Sequence, residues 1–199
     1  MHSTSHKKSE RAGEIRIIAG EYRGRRIKVA SRPGLRPTPD RVRETLFNWL
    51  GQWLAGQSCL DLFAGSGALG FEAASRGAAR VVMVESDRAA FSALESARAK
   101  IGARAVELVY GDALDYLART RERFDVVFLD PPFRQNALPA VLERLAPRLA
   151  EGARVYLESA APAEPGERWR ELRRARAGQV RYQLFEWRGD DQGGLPRHV

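Results

Sequence analysis

From Cys59 to Ser159 the chain alternates between two hydrophobic patterns. Short apolar runs, CLDLF, RVVMVE, AVELVY, FDVVFLD and RVYLES, are separated by segments whose apolar residues recur every three or four positions. Those segments run from Ala68 to Arg76, Arg88 to Lys100, Ala113 to Arg121 and Ala137 to Leu149. Unbroken apolar runs such as Val126 to Leu129 suit strands buried on both faces, and repeated strand–helix units predict a parallel, doubly wound sheet. Upstream, Ile15 to Val29 holds two β-favouring runs around Gly20 and Gly24, which predicts a small hairpin. A helix follows, with Thr38 as N-cap, Pro39 at the first helical position and Asp40 complementing the positive helix end. Val42, Leu46, Trp49, Leu50 and Trp53 define its apolar face, with the tryptophans as packing anchors; Arg41, Arg43, Glu44 and Asn48 fall elsewhere. Downstream, Glu171 to Ala177 and Val180 to Trp187 read as an antiparallel hairpin that closes one sheet edge.

The expected fold is therefore α/β: a doubly wound, mostly parallel seven-stranded sheet with an N-terminal hairpin and helix extension and a C-terminal antiparallel hairpin. Residues 1–14 read as a disordered leader, 15–57 as a basic arm and helix, 58–188 as the main domain and 189–199 as a disordered tail.

Open α/β sheets bind ligands just beyond the carboxyl ends of their strands, so attention falls on how each strand ends. The run FDVVFLDPPF ends in Asp130, Pro131, Pro132 and Phe133. The two prolines fix φ and remove two N–H donors, leaving a stiff loop that offers carbonyl oxygens and a carboxylate. Such a loop accepts hydrogen bonds. By itself Asp-Pro-Pro is also a strand terminator.

The first strand of the main domain runs into a glycine-rich turn, Asp61-Leu62-Phe63-Ala64-Gly65-Ser66-Gly67-Ala68-Leu69-Gly70, and Glu85 ends the next strand. Gly65, Gly67 and Gly70 match the dinucleotide fingerprint, with Glu85 suited to a ribose diol. A tight turn without a ligand, or a nicotinamide or flavin site, shares that spacing. Asp61 separates these readings, because a pyrophosphate disfavours a neighbouring anion whereas a cationic, amino-acid-like ligand gains from one. S-adenosylmethionine carries an ammonium, a sulfonium and a ribose diol but no phosphate. Asp61 then serves the amine side, Glu85 the ribose and Asp112, after the third strand, the adenine amine. Phe63, Ala64, Ser66, Ser86 and Ala113 flank these positions and complete the candidate cofactor lining, with Asp130 at its far end.

Charge adds a partner class. Residues 1–58 hold 12 Lys+Arg against 5 Asp+Glu, a net of +7, which leaves +1 for the remainder. A near-neutral body with a basic arm is the footprint of a polyanion binder, although a solvated tail has the same composition. Arg16, Arg23, Arg25, Arg26 and Lys28 surround Tyr22, a candidate base-stacking ring. Cys59 is the single cysteine, and His2, His6 and His198 lie in the tails, so neither a thiolate-rich metal site nor a histidine general base is expected. No metal is expected. The polar N-terminus and the lack of an eighteen-residue apolar run predict a soluble cytoplasmic protein.

With those residues in place, the chain from about Ile15 to about Trp187 resembles the RsmD-type 16S rRNA guanine-N2 methyltransferases, within the Rossmann-like class I S-adenosylmethionine-dependent methyltransferases. The markers are IRIIAGEYRGRRI, RPTPDRVRETLFNWL, LDLFAGSGALGFEAASRGA, VVMVESD and FDVVFLDPPF. The resemblance implies that Asp61, Gly65, Gly67, Glu85 and Asp112 surround the cofactor and that Asp130 to Phe133 meet the target base. It also implies that Thr38 and Arg41 border the same pocket. Arg23, Arg25, Arg26, Lys28, Arg36, Thr38, Arg41 and Phe133 form the expected RNA contacts, with 16S rRNA in a small-subunit particle as partner and a monomer as enzyme. A DNA adenine-N6 methyltransferase usually needs a separate recognition region, for which 199 residues leave little room. Glutamine methylation of a protein would not call for the N-terminal arginines, and an RNA-binding assembly factor would not require both the pocket and the acceptor loop.

Overall fold

The computed structural model describes residues 13–29, 38–131, 138–178 and 180–189. Residues 1–12 of the expected leader, most of the expected tail, and the positions Arg36, Pro132 and Phe133 lie outside the described residues; Glu14, placed in the expected leader, belongs to a strand.

Two short strands, β1 (Glu14–Arg16) and β2 (Arg26–Lys28), pair antiparallel as the expected hairpin. Helix α1 (Asp40–Leu50) leads into β3 (Ser58–Asp61), after which strands and helices alternate. They are α2 (Ala68–Ser75), β4 (Arg80–Glu85), α3 (Arg88–Ile101), β5 (Val106–Tyr110), α4 (Ala113–Arg119), β6 (Phe124–Leu129) and α5 (Leu138–Leu145). A 3-10 turn at Ala146–Arg148 replaces the predicted end of the last helix, and β7 (Leu149–Ser159) begins where that helix was expected to finish. Strands β8 (Trp169–Ala177) and β9 (Val180–Trp187) form the C-terminal hairpin.

The main sheet has the order β5-β4-β3-β6-β7-β9-β8; β9 alone runs against the five parallel strands, and β8, antiparallel to β9, runs with them at the edge. The chain builds outward from β3 to β5, then returns to lay β6 on the other side of β3. This reversal opens a crevice between β3 and β6, where α/β sheets of this type bind ligands. Helices α2 and α3 lie on one face, packed on Cys59, Met83 and Phe128, and α4 and α5 on the other, packed on Leu60, Val127 and Leu157.

The N-terminal extension lies on the α2 face, and its packing corrects three expectations. The buried stripe of α1 comprises Val42, Arg43, Leu46, Phe47 and Leu50, rotated from the expected face so that Arg43 points inward. The reason is Glu72 of α2, fully buried, whose carboxylate accepts from Ile18 N–H (2.9 Å), Ala19 N–H (3.1 Å), Arg43 Nη1 (3.4 Å) and Arg76 Nε (2.9 Å). One acid thus ties hairpin, helix and domain together. Trp49 stacks on Tyr182 of β9, with ring centroids 5.4 Å apart, so it is an anchor as expected. Trp53 is 65% exposed, because Gly51 in the left-handed region ends α1 before that side chain can turn inward. Tyr22 is buried against Ser75 and covered by the Arg25 guanidinium, so it is packing and not a stacking platform. Among the described residues, no helix is long and apolar enough to cross a membrane.

Candidate active site

Alternation along the strands selects which acids share a cavity. Cys59, Phe128 and Tyr156 pack into the α2-side core, while Leu60, Leu129 and Leu157 pack into the other. Successive side chains point to opposite faces, so Asp61, Asp130 and Glu158 all return to the α2 side at the carboxyl ends of the neighbouring strands β3, β6 and β7. Register agrees, since Asp61 pairs with Phe128 and Leu129 pairs with Leu157. The structure thereby brings Asp61 and Asp130 to one crevice.

Asp61 is 3% exposed, and one carboxylate oxygen accepts the Gly70 N–H at 3.0 Å. Burial pushes its carboxyl up to about 7; the Gly70 bond opposes this and the Glu85 charge adds to it. Such a carboxyl gains from a cation. The turn between Asp61 and α2 needs glycine for two distinct reasons. Gly67 has φ +76°, and a Cβ there would lie 2.6 Å from Leu94. Gly70 has an ordinary φ, but a Cβ would sit 2.7 Å from Met83 Sδ, so it permits α2 to lie close on β4.

Glu85 ends β4 with both oxygens turned to the loop: one accepts the Gly65 N–H at 2.7 Å and the other the Asp87 N–H at 2.7 Å. A carboxylate has about four lone-pair positions, so capacity for hydroxyl donors remains. Ala64 is buried and donates its N–H to Val84 O at 2.9 Å, locking the loop to β4, and Ser66 Oγ accepts the Ala68 N–H at 3.4 Å. Phe63 is half-buried, Ser86 exposed and Ala113 buried. Asp112 is the N-cap of α4, with Oδ1 accepting from Leu114 N–H (2.8 Å) and Asp115 N–H (3.3 Å). Its exposed position lines a cleft of about 300 Å³ with Tyr110, Gly111 and Tyr116, and the Gly111 N–H donates to Glu85 O at 3.0 Å.

Asp130 accepts no hydrogen bond among the described residues. Burial first, then the charges of Glu158 and Asp61, push its carboxyl up to about 8. Pro131 beside it is buried. Glu158 is 7% exposed, and its Oε1 accepts from the Tyr156 hydroxyl at 2.8 Å and from Thr38 Oγ1 at 3.3 Å. Burial raises its carboxyl while the two hydroxyls oppose the rise. Thr38 was expected to cap α1; Pro39 takes the N-cap position and Thr38 makes no capping bond, its hydroxyl being committed to Glu158. Glu158 and Tyr156 were missing from the sequence-derived site. The signal was present, for RVYLES ends in an acid just as the strands of Asp61, Glu85 and Asp130 do.

The expected RNA contacts divide by position. Arg41 is exposed on the first turn of α1, next to Thr38. Arg23, Arg25, Arg26 and Lys28 are exposed on the hairpin, which docks at the far ends of α2 and α3: Glu21 N–H reaches Ser75 O at 2.7 Å and Arg25 Nη1 reaches Ile101 O at 2.5 Å. Helix α3 covers about 20 Å from Arg88 at the crevice to Ile101, so these cations do not adjoin Asp130. Among the described residues no cluster of acids, histidines and cysteine is arranged to hold a metal ion.

A switch-point crevice, a glycine loop and acids at the strand ends, in a sheet whose last hairpin runs antiparallel, define the Rossmann-like methyltransferase class. The family described as "Conserved hypothetical protein 95" matches residues 15–186, and the chain belongs to this family, that of the RsmD-type methyltransferases. It is 44% identical over 181 residues to Ribosomal RNA small subunit methyltransferase D of Escherichia coli (strain K12), spanning 88% of this chain and 91% of that protein. The enzyme of the same name from Haemophilus influenzae is 41% identical over 182 residues, spanning 87% and 94%. A solved structure of a putative methyltransferase, yhhF from Escherichia coli, superposes with a TM-score of 0.82 at 43% identity, covering 89% of this chain and all of that one.

Proposed function

We propose that this protein transfers a methyl group from S-adenosylmethionine to the exocyclic N2 amine of a guanine in 16S rRNA, within a small-subunit particle. The observation that carries the reading is the convergence of Asp61 and Asp130 on one crevice, one beside the glycine loop and the other on the acceptor loop. The relatives' names supply the RNA substrate class.

The donor set suits S-adenosylmethionine. Asp61, buried and held up to about 7, is compensated by an ammonium or sulfonium. Glu85 accepts from ribose hydroxyls, Asp112 accepts the adenine amine with the oxygen outside its capping bonds, and the loop from Phe63 to Gly67 lies along the ligand. When bound, the cofactor supplies an electrophilic methyl group on a positively charged sulfur.

The protein's share of the chemistry falls to the acceptor loop. The lone pair of a guanine N2 is delocalised into the ring, which makes the amine a poor nucleophile. Asp130 accepts one of its N–H bonds and the Pro131 carbonyl the other, which turns the lone pair toward the crevice and stabilises positive charge growing on nitrogen. A cation next to Asp130 favours its ionised form, which this role and removal of the amine proton both require. Pro132 and Phe133 continue the loop, Phe133 as the ring that stacks on the base and fixes its approach. Arg41, on the first turn of α1 next to Thr38, takes a phosphate close to the crevice, and Arg36 contributes a further phosphate contact. Arg23, Arg25, Arg26 and Lys28 hold RNA farther out.

The test is incubation with methyl-labelled S-adenosylmethionine and, separately, small subunits lacking the modification, naked 16S rRNA and DNA, followed by nucleoside identification. N2-methylguanosine from the subunits is the expected product. Methylated adenine, or label in ribosomal protein, would refute the assignment.

A further inference from the structure

Resting on the guanine-N2 reading, we infer that Glu158 is the specificity-determining residue of the base site: its free carboxylate oxygen accepts the N1–H of the target guanine beside Asp130.

The strands bring the two acids together. Leu129 and Leu157 pair directly in the parallel β6–β7 register, and the next residues, Asp130 and Glu158, project to the same face. The charges of both Glu158 and Asp61, from the strands on either side, raise the Asp130 carboxyl. Guanine presents the N2 amine and N1–H side by side on one edge. Two acceptors on adjacent strands match two donors on adjacent atoms.

The hydrogen bonds around Glu158 make it a donor-seeking group. Tyr156 and Thr38 both donate to Oε1, at 2.8 and 3.3 Å, and no bond is made by Oε2 among the described residues. Two hydroxyl donors on one oxygen favour the ionised carboxylate, which can only accept. Tyr156 lies on the same strand and Thr38 just before α1, so the N-terminal extension reaches the base site through a single hydroxyl, 120 residues away in the chain. The acid is also rigid, being 7% exposed with its holder Tyr156 fully buried.

The chemistry of the alternative bases then separates. Adenine has a lone pair at N1, where guanine has N1–H, and an ionised carboxylate repels it. Cytosine likewise has a lone pair next to its amine. An unprotonated Glu158 therefore selects guanine among the amine-bearing bases, a task that Asp130 cannot perform, because every exocyclic amine offers it the same N–H.

The test substitutes 2-aminopurine for the target guanine in otherwise identical reconstituted small subunits. This base keeps the C2 amine but replaces N1–H by a lone pair. The wild-type protein is expected to prefer guanine by at least about a hundredfold in kcat/KM, since a buried acceptor left facing a lone pair is poorly tolerated. Glu158→Gln, which can present an amide N–H, is expected to erase or invert that preference while retaining S-adenosylmethionine affinity. Should E158Q fold poorly, Tyr156→Phe and Thr38→Val loosen the same carboxylate and are expected to narrow the preference in smaller steps. An unchanged guanine to 2-aminopurine ratio in the variants overturns the role of Glu158 and leaves the guanine-N2 reading intact. A wild-type protein that methylates no guanine overturns both.

Discussion

Asp130 and Glu158 stand one residue beyond the paired Leu129 and Leu157, on the same face of two adjacent parallel strands. Neither is paired with a cation among the described residues, so two carboxyls compete for ionisation in a partly desolvated corner. Tyr156 and Thr38 donate to Glu158, which opposes the rise that burial imposes on it, whereas no hydrogen bond among the described residues opposes the rise of Asp130.

That distribution sets a pH dependence. Asp130 is held up to about 8 by burial and by Glu158 and Asp61, and Tyr156 is a further group that feels its charge. Burial favours the neutral acid, so the ionised, accepting fraction grows as pH rises. The kcat/KM for RNA is expected to climb with pH and level off by about 8, the cationic cofactor drawing the midpoint below that value. Asp130→Asn should remove this limb and lower kcat by about a hundredfold or more. A pH-independent wild-type profile between 6 and 9 would count against Asp130 as the acceptor.

Asp61 links pH to cofactor affinity. Its carboxyl is raised to about 7, and a cationic ligand favours the charged form, so binding expels a proton below that pH. Affinity for S-adenosylmethionine should increase with pH up to about 7 and then flatten. Asp61→Asn preserves an oxygen for the Gly70 N–H but should cost about tenfold or more in affinity and abolish the proton release. Titration calorimetry in buffers of different ionisation enthalpy measures both.

Glu72 is the structural pin of the N-terminal extension, accepting four hydrogen bonds, two of them from Arg43 and Arg76. Glu72→Gln leaves the buried Arg76 guanidinium without its carboxylate and Arg43 with Asp40 alone, and is expected to destabilise the protein by about 3 kcal/mol. Chemical denaturation reads this directly. Trp53→Ala, at an exposed site outside any core contact, should change stability by less than about 0.5 kcal/mol.

The hairpin cations predict a salt signature and little else. If Arg23, Arg25, Arg26 and Lys28 each neutralise a phosphate, replacing all four by Gln should make the slope of log K against log salt shallower by about three. Turnover at saturating RNA should stay close to wild type, because the hairpin docks on the far ends of α2 and α3. A large kcat loss at unchanged RNA affinity would contradict this division of labour.

The parallel strands were legible in the sequence because burial on both faces leaves an unbroken apolar run, and the glycine loop because close backbone approach tolerates no Cβ at Gly67 or Gly70. The ends of those runs likewise marked Asp61, Glu85 and Asp130. Arg43 and Tyr22 were misjudged for a common reason: local periodicity shows which side of an element is apolar, but not which charged side chain will find a buried partner. The hint of Glu72, a lone acid inside ALGFEAAS, acquires meaning only when Arg43, Arg76 and two backbone N–H groups surround it.

Element types and the identity of the acids follow from the order of residues, because they depend on neighbours within a few positions. The partnership of Asp130 with Glu158, the diversion of Thr38 from helix cap to carboxylate holder and the distance of the hairpin cations from the crevice depend on tertiary structure. Strand order, register and the packing of the N-terminal extension set which distant groups meet, and the desolvation they share decides which of them keeps its proton.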